Sequence, residues 1–200
     1  MKSPTARRIR ATIAFAVAAV ALAGCANDDL AQQYSASEDQ GYVAGDGSWQ
    51  EFAEGDRSAS VEFSGTDESG QEIASADFAG EVTVVNFWYA ACPPCRAEAA
   101  DLEQVYQDFR DQQVHFVGVN VYDQADTIKS FNAEFGVTYP SILDVDDAAV
   151  RLAFSDNVSP QSIPSTLVLD REGRVAAVIR GVADPSILTS MIDRVLKEEA

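Results

Sequence analysis

The chain has 200 residues, 46% of them hydrophobic, which is enough for one domain of ordinary size with a packed core and an appendage. Its 14 Lys and Arg against 32 Asp and Glu give a formal charge of −18, which argues against a nucleic-acid partner because nothing would neutralise phosphates. The acidic residues are spread over linker and helix surfaces, the pattern of a solvated acidic face rather than a binding block.

The first 24 residues stand apart. Lys2, Arg7, Arg8 and Arg10 make a basic start without acids, and Ile13 to Ala23 is apolar and Ala-rich. A short apolar run with small residues at its end reads as a secretory signal and is too short to span a bilayer comfortably. The ending Leu22-Ala23-Gly24-Cys25 resembles the bacterial lipobox. That resemblance implies cleavage before Cys25, a lipid on its sulfur and a chain anchored on the extracytoplasmic face of the cell membrane. Loss of the four basic residues would take the charge from −18 to −22. Anionic headgroups would repel such a chain, so attachment would rest on the lipid.

Residues 26 to 57 are rich in Asp, Glu, Gln, Ser, Gly and Ala, with no period of 2 or 3.6. The expectation is a flexible tether from 25 to 57 with an r.m.s. span of about 30 Å, followed by a globular domain from 58 to 200. Trp49 to Phe52 is the part of the tether that could pack on the domain instead.

From residue 58 the pattern turns globular. Val61 to Phe63 alternates and Asp67-Glu68-Ser69-Gly70 reads as a turn, which predicts a hairpin. Val82 to Trp88 and Val114 to Val121 are continuous apolar tracts, the type buried on both faces of a sheet. Between them, Leu102, Val105, Tyr106 and Phe109 recur at helical spacing. Ile128, Phe131 and Phe135 mark a second helix closed by Gly136. A short extended piece at Pro140 to Leu143 and a short helix at Asp146 to Phe154 form a small βα insertion. Thr166 to Leu169 and Val175 to Ile179 flank Asp170-Arg171-Glu172-Gly173, a hairpin signal. Asp184 then caps a final helix that opens on Pro185. This order predicts an α/β three-layer sandwich with a central mixed sheet and an N-terminal β-hairpin.

Two of the three cysteines lie at the junction of an apolar strand and a helix, in Cys92-Pro93-Pro94-Cys95. Cys-x-x-Cys in that position is the thioredoxin-like arrangement. The first sulfur sits where unpaired N–H groups and the helix dipole stabilise a thiolate. The second lies one turn inside and can resolve a mixed disulfide. Cys92 is therefore the expected nucleophile and Cys95 the resolving thiol of a Cys92–Cys95 redox disulfide. No metal is expected. Structural zinc needs about four ligands, and the chain offers one pair and a single histidine, His115, in a strand pattern. A two-thiolate Cu(I) carrier is the non-enzymatic alternative. A purely structural bridge would close too small a loop to stabilise much.

Residues 58 to 198 resemble the thioredoxin-fold thiol:disulfide oxidoreductases of the TlpA/ResA type, which are often lipoproteins. The resemblance is carried by Val85-Asn86-Phe87-Trp88, by Cys92-Pro93-Pro94-Cys95-Arg96-Ala97-Glu98, and by Ile163-Pro164-Ser165-Thr166 before a strand and hairpin. It implies a reductase of protein disulfides outside the cytoplasm, with no cofactor beyond the cysteines. Apocytochrome c is the implied client and a membrane thiol carrier of the CcdA/DsbD kind the implied electron donor. A disulfide-forming oxidase is the alternative direction. By the same resemblance, Pro164 is the cis-proline facing the cysteines. Trp88, Pro93, Pro94, Ile163 and Pro164 line the substrate groove. Glu98, about one turn beyond Cys95, takes the proton of Cys95. Asn86 stands where thioredoxins proper place a buried Asp, which moves acid–base duty toward Glu98. The chain departs from the family at Ala91, where Trp is common, and at Ala100, where many members have a helix-kinking proline.

Overall fold

The computed structural model describes residues 48–198. Eight strands form, β1 (Trp49–Glu51), β2 (Ser64–Thr66), β3 (Glu72–Ala74), β4 (Val82–Trp88), β5 (Val114–Asn120), β6 (Ser141–Leu143), β7 (Ser165–Leu169) and β8 (Val175–Arg180). The helices are α1 (Pro93–Phe109), α2 (Ala125–Phe135), the short α3 (Ala149–Ala153) and α4 (Pro185–Leu196). Six strands make one sheet in the order β1-β8-β7-β4-β5-β6, and β2 pairs with β3 in a separate hairpin. β5 runs parallel to β4 and β6, while β7 is antiparallel to β4 and β8. The expected mixed sheet and N-terminal hairpin are both present. The expected leader and the lipidation expected at Cys25 fall outside the described residues.

β4 is central, and all seven of its residues are buried, as a strand covered on both faces requires. Its neighbour β5 crosses over through α1, whose buried face carries Cys95, Glu98, Ala99, Leu102, Val105 and Phe109 at helical spacing. α1 is continuous through Ala100. Gly136 ends α2 in the left-handed region at φ 76°, which glycine adopts without a Cβ penalty. Gly118 in β5 answers a different need. A Cβ there would meet Ser141 Oγ at 2.2 Å and Trp88 Nε1 at 2.8 Å, so only glycine lets those two groups meet over the strand.

The fold begins earlier than residue 58. β1 adds to the outer edge of β8, with Trp49 opposite Ile179 and Glu51 opposite Ala177. Arg57 is buried and bonds Asp170 at 2.9 Å and Glu198 at 2.6 Å. Asp170 also takes the Arg174 guanidinium at 2.8 Å, and Arg171 donates to the last carbonyls of α4. An acidic, aperiodic stretch thus becomes ordered because a sheet edge, the buried Asp170 carboxylate and the half-buried Glu198 carboxylate lie within its reach. Nothing in its own periodicity signals those partners.

Candidate active site

β4 carries the chain to the cysteines. Tyr89 to Ala91 turn at its end, and Cys92 becomes the N-cap of α1. The Cys92 N–H donates to the Tyr89 carbonyl at 3.2 Å, and the Cys95 N–H donates to Cys92 Sγ at 3.2 Å. Cys92 and Cys95 form a disulfide, with Cα atoms 5.3 Å apart. Pro93 and Pro94 fill the first two helical positions, where a missing N–H leaves no intrahelical bond unmade. The Cys92 sulfur consequently has one backbone donor on this turn, that of Cys95. Both cysteines are buried, while Ala91 and Pro93 are exposed and mark where the site meets solvent.

Glu98 lies one turn beyond Cys95 on the buried face of α1 and is only 1% exposed. Its carboxylate accepts from Asn86 Nδ2 at 3.0 Å and from the Ala183 N–H at 2.8 Å. The other Asn86 Nδ2 bond goes to Thr166 Oγ1, also at 3.0 Å, across the β4–β7 ladder. Both partners of Glu98 are neutral. Burial pushes its pKa up to about 7, against the opposing pull of the two hydrogen bonds. Tyr139 is raised as well, by its own burial first and then by the Glu98 charge. A small cavity of about 10 Å³ touches Asn86, Cys95 and Tyr139, room for about one water.

The Ile163–Pro164 peptide is cis, the isomer expected from the sequence. Pro164 precedes Ser165, which pairs with Phe87 near the end of β4, so it sits at the same end of the sheet as the disulfide. The Redoxin family profile matches residues 53–196. The chain belongs to the Redoxin family.

Within this Redoxin-family fold, known relatives point to one chemistry. Thiol-disulfide oxidoreductase ResA of Bacillus subtilis (strain 168) is 31% identical over 122 residues, covering 61% of this chain and 65% of the relative. Thiol:disulfide interchange protein HelX of Rhodobacter capsulatus is 32% identical over 117 residues, or 58% of this chain and 62% of HelX. The chain therefore spans a little under two thirds of the length of both. Among solved structures, a secreted thiol-disulfide isomerase from Corynebacterium glutamicum superposes with a TM-score of 0.68 at 28% identity, covering 76% of this chain and 95% of that one. The protein is ResA-like with a thioredoxin fold, and its Cys92–Cys95 disulfide stands at the start of α1.

The site departs from the sequence reading at the groove, where three of the five expected residues are buried. Trp88 is not on a groove. It is 4% exposed, its ring lies 4.4 Å from that of Phe131, and its Nε1 donates to Ser141 Oγ at 3.2 Å. An indole at the last position of a central strand turns inward when a buried acceptor can satisfy its N–H. Ile163 and Pro164 are buried too, so Ala91, Pro93 and the half-buried Pro94 supply the accessible rim. His115 lies in β5 and pairs with Glu81, and no metal-ligand cluster occurs among the described residues.

Several residues of the site were not visible beforehand. Thr166 and the Ala183 N–H complete the Glu98 network from distant parts of the chain. Three of the four large exposed apolar side chains among the described residues lie toward the disulfide end of the strands, with Trp49 opposite Ile179, Tyr122 two residues past β5 and Val182 two past β8. Alternation within strands could not have flagged them, because they follow the strands or belong to the edge. A concavity of about 730 Å³ lies at the other end of the sheet between Phe63, Phe78, Thr83 and Leu169 and contains neither cysteine.

Proposed function

We propose that this chain is an extracytoplasmic reductase of protein disulfides, held at the membrane by a lipid on Cys25. The observation that carries the direction is the single Cys95 N–H bonded to the Cys92 sulfur, with Pro94 unable to supply a second. A less stabilised thiolate favours the disulfide form of the enzyme, so the reduced pair gives up its electrons readily.

In this reading the reduced Cys92 thiolate attacks a client disulfide. A mixed disulfide forms and one client sulfur leaves as thiolate. Cys95 then attacks the Cys92 sulfur, the Cys92–Cys95 bond forms and the second client sulfur leaves. Two electrons have passed from enzyme to client. Glu98, neutral and charged in comparable amounts near pH 7, takes the Cys95 proton as that thiol becomes the attacking group. A cavity of about 10 Å³ touches Cys95 and Asn86, the residue whose Nδ2 donates to the Glu98 carboxylate. The likeness to ResA makes apocytochrome c the first client to test and a CcdA/DsbD-type carrier the first electron donor.

Equilibration with glutathione tests the direction. A reduction potential at or below about −220 mV supports a reductase, and one near −120 mV would make the protein an oxidase. Cys95→Ala should trap clients on Cys92; if apocytochrome c never appears among them, the cytochrome assignment fails. Cys25→Ala should release the protein from membranes. Tight stoichiometric Cu(I) on the reduced protein in mass spectrometry would turn the reading toward a metallochaperone.

A further inference from the structure

The turn between β4 and Cys92 is held by charged side chains from both flanking elements. β4 and β5 run in parallel register up to Trp88 and Asn120, and the last backbone bond of the ladder runs from the Val121 N–H to the Trp88 carbonyl. Two residues on from Trp88, the next N–H facing the β5 side is that of Ala90. It finds no strand carbonyl and donates instead to Asp123 Oδ2 at 2.6 Å. That same oxygen accepts from Asn120 Nδ2 at 2.9 Å, and Asn120 Oδ1 in turn takes the N–H groups of Tyr122 and Asp123. The Ala90 carbonyl accepts from Arg96 Nη1 at 3.3 Å. Arg96 is itself fixed by Glu134 at 2.7 Å and by the Phe135 ring, 4.7 Å from its guanidinium carbon. One peptide residue, two positions before the nucleophile, is thus gripped by a carboxylate on its N–H and a guanidinium on its C=O.

We propose that Asp123 is a positioning residue for thiol–disulfide exchange, which fixes the Ala90 turn and, through its charge, holds down the stability of the Cys92 thiolate. The proposal rests on the redox reading of the cysteine pair but not on its direction or its clients. Its physics is independent of Pro94. A carboxylate bonded two residues from a sulfur that becomes an anion disfavours that anion, and a half-buried carboxylate is screened less than one in bulk water. Arg96 opposes this charge from the other side of the same residue, and its salt bridge to Glu134 dilutes that opposition.

Asp123→Asn separates the two roles, because one amide oxygen can replace Oδ2 as acceptor for both Ala90 and Asn120 while the charge is lost. The full chain and its Asp123→Asn and Asp123→Ala variants are equilibrated with glutathione, and the Cys92 thiol is titrated by its alkylation rate against pH. Asp123→Asn should lower the Cys92 pKa and shift the glutathione equilibrium about three- to tenfold toward the reduced pair, about 15 to 30 mV. Asp123→Ala, which also frees the turn, should show the same shift and in addition a several-fold slower reduction of the pair by dithiothreitol. An Asp123→Asn pair that titrates and equilibrates like the parent overturns the electrostatic role. An Asp123→Ala pair reduced as fast as Asp123→Asn overturns the positioning role. If the parent itself fails to exchange with glutathione, the redox reading falls first, so the two failures are told apart.

Discussion

At the Asp170 end of the sheet, Arg57 is buried between two carboxylates; at the Cys92 end, Glu98 is buried among neutral donors. The Arg57 pKa is raised above its ordinary value, first by its hydrogen bond to Glu198, so it is charged at every pH the protein meets. Glu98 is also raised, but by desolvation, and that places it at the boundary between its two forms. The difference lies in the partners as well as in depth. A buried charge with opposite charges around it is locked and serves the fold. A buried carboxyl with only amide donors keeps a proton it can exchange, which is what a redox site needs when thiols become thiolates.

The contrast breaks most sharply at Arg57. Arg57→Ala leaves Glu198 and Asp170 short of a cation and should cost about 4 kcal/mol in urea unfolding. The glutathione equilibrium of the disulfide should stay where it was. A shift in that equilibrium would show that the two ends are not separate.

Glu98 gives the next largest effect. Its pKa is about 7 in the folded protein against about 4.3 in an unfolded chain, so the folded state holds the extra proton between those values. The associated stability is fully present below about pH 4.3 and is lost as pH rises to 7, on the order of 3 kcal/mol. Glu98→Gln should remove that loss. The check is the difference between parent and variant in denaturant unfolding at pH 4.5 and pH 8, and equal differences at the two pH values would deny Glu98 the role. The same variant should slow release of the mixed disulfide and flatten its pH profile near 7.

Pro94 sharpens the comparison further, since it controls how little the site stabilises charge. Pro94→His restores an N–H at the second helical position and should lower the Cys92 pKa. The pair should become more oxidising by about tenfold in its glutathione equilibrium, about 30 mV. An unchanged pKa would remove the account of the prolines. The smallest effect is expected at Glu134, whose pair with Arg96 is exposed on both sides. Glu134→Ala should leave unfolding within error of the parent, and what difference there is should vanish in high salt.

Much of this was legible along the chain. Buried strands at Val82 to Trp88 and Val114 to Val121, the cap and prolines of α1, the Gly136 stop and the Asp184 cap are local signals, each fixed by periodicity or by a side chain bonding its own backbone. Glu98 was marked by the resemblance to the TlpA/ResA type, with its place one turn beyond Cys95 consistent with that role. Its partners were not, because Thr166 and Ala183 come to it only through strand pairing and the return of the chain after β8. Trp88 misled for the same reason, as its Ser141 partner lies on another strand. The small helix expected from Asp146 shrank to Ala149–Ala153, since Asp144 turns back to bond the Val150 and Arg151 N–H groups.

The Cys-x-x-Cys pair, the element order and the missing donor at Pro94 could be read along the chain, because these depend on neighbours within a turn or two. Tertiary structure alone decided which buried charges are paired, where the folded domain begins and what holds the turn before Cys92. Those outcomes depend on groups 30 to 140 residues apart, such as Asp123 with Ala90, Ala183 with Glu98 and Glu198 with Arg57. A carboxylate's chemistry follows the charges packed beside it, and no local pattern in the chain records which those will be.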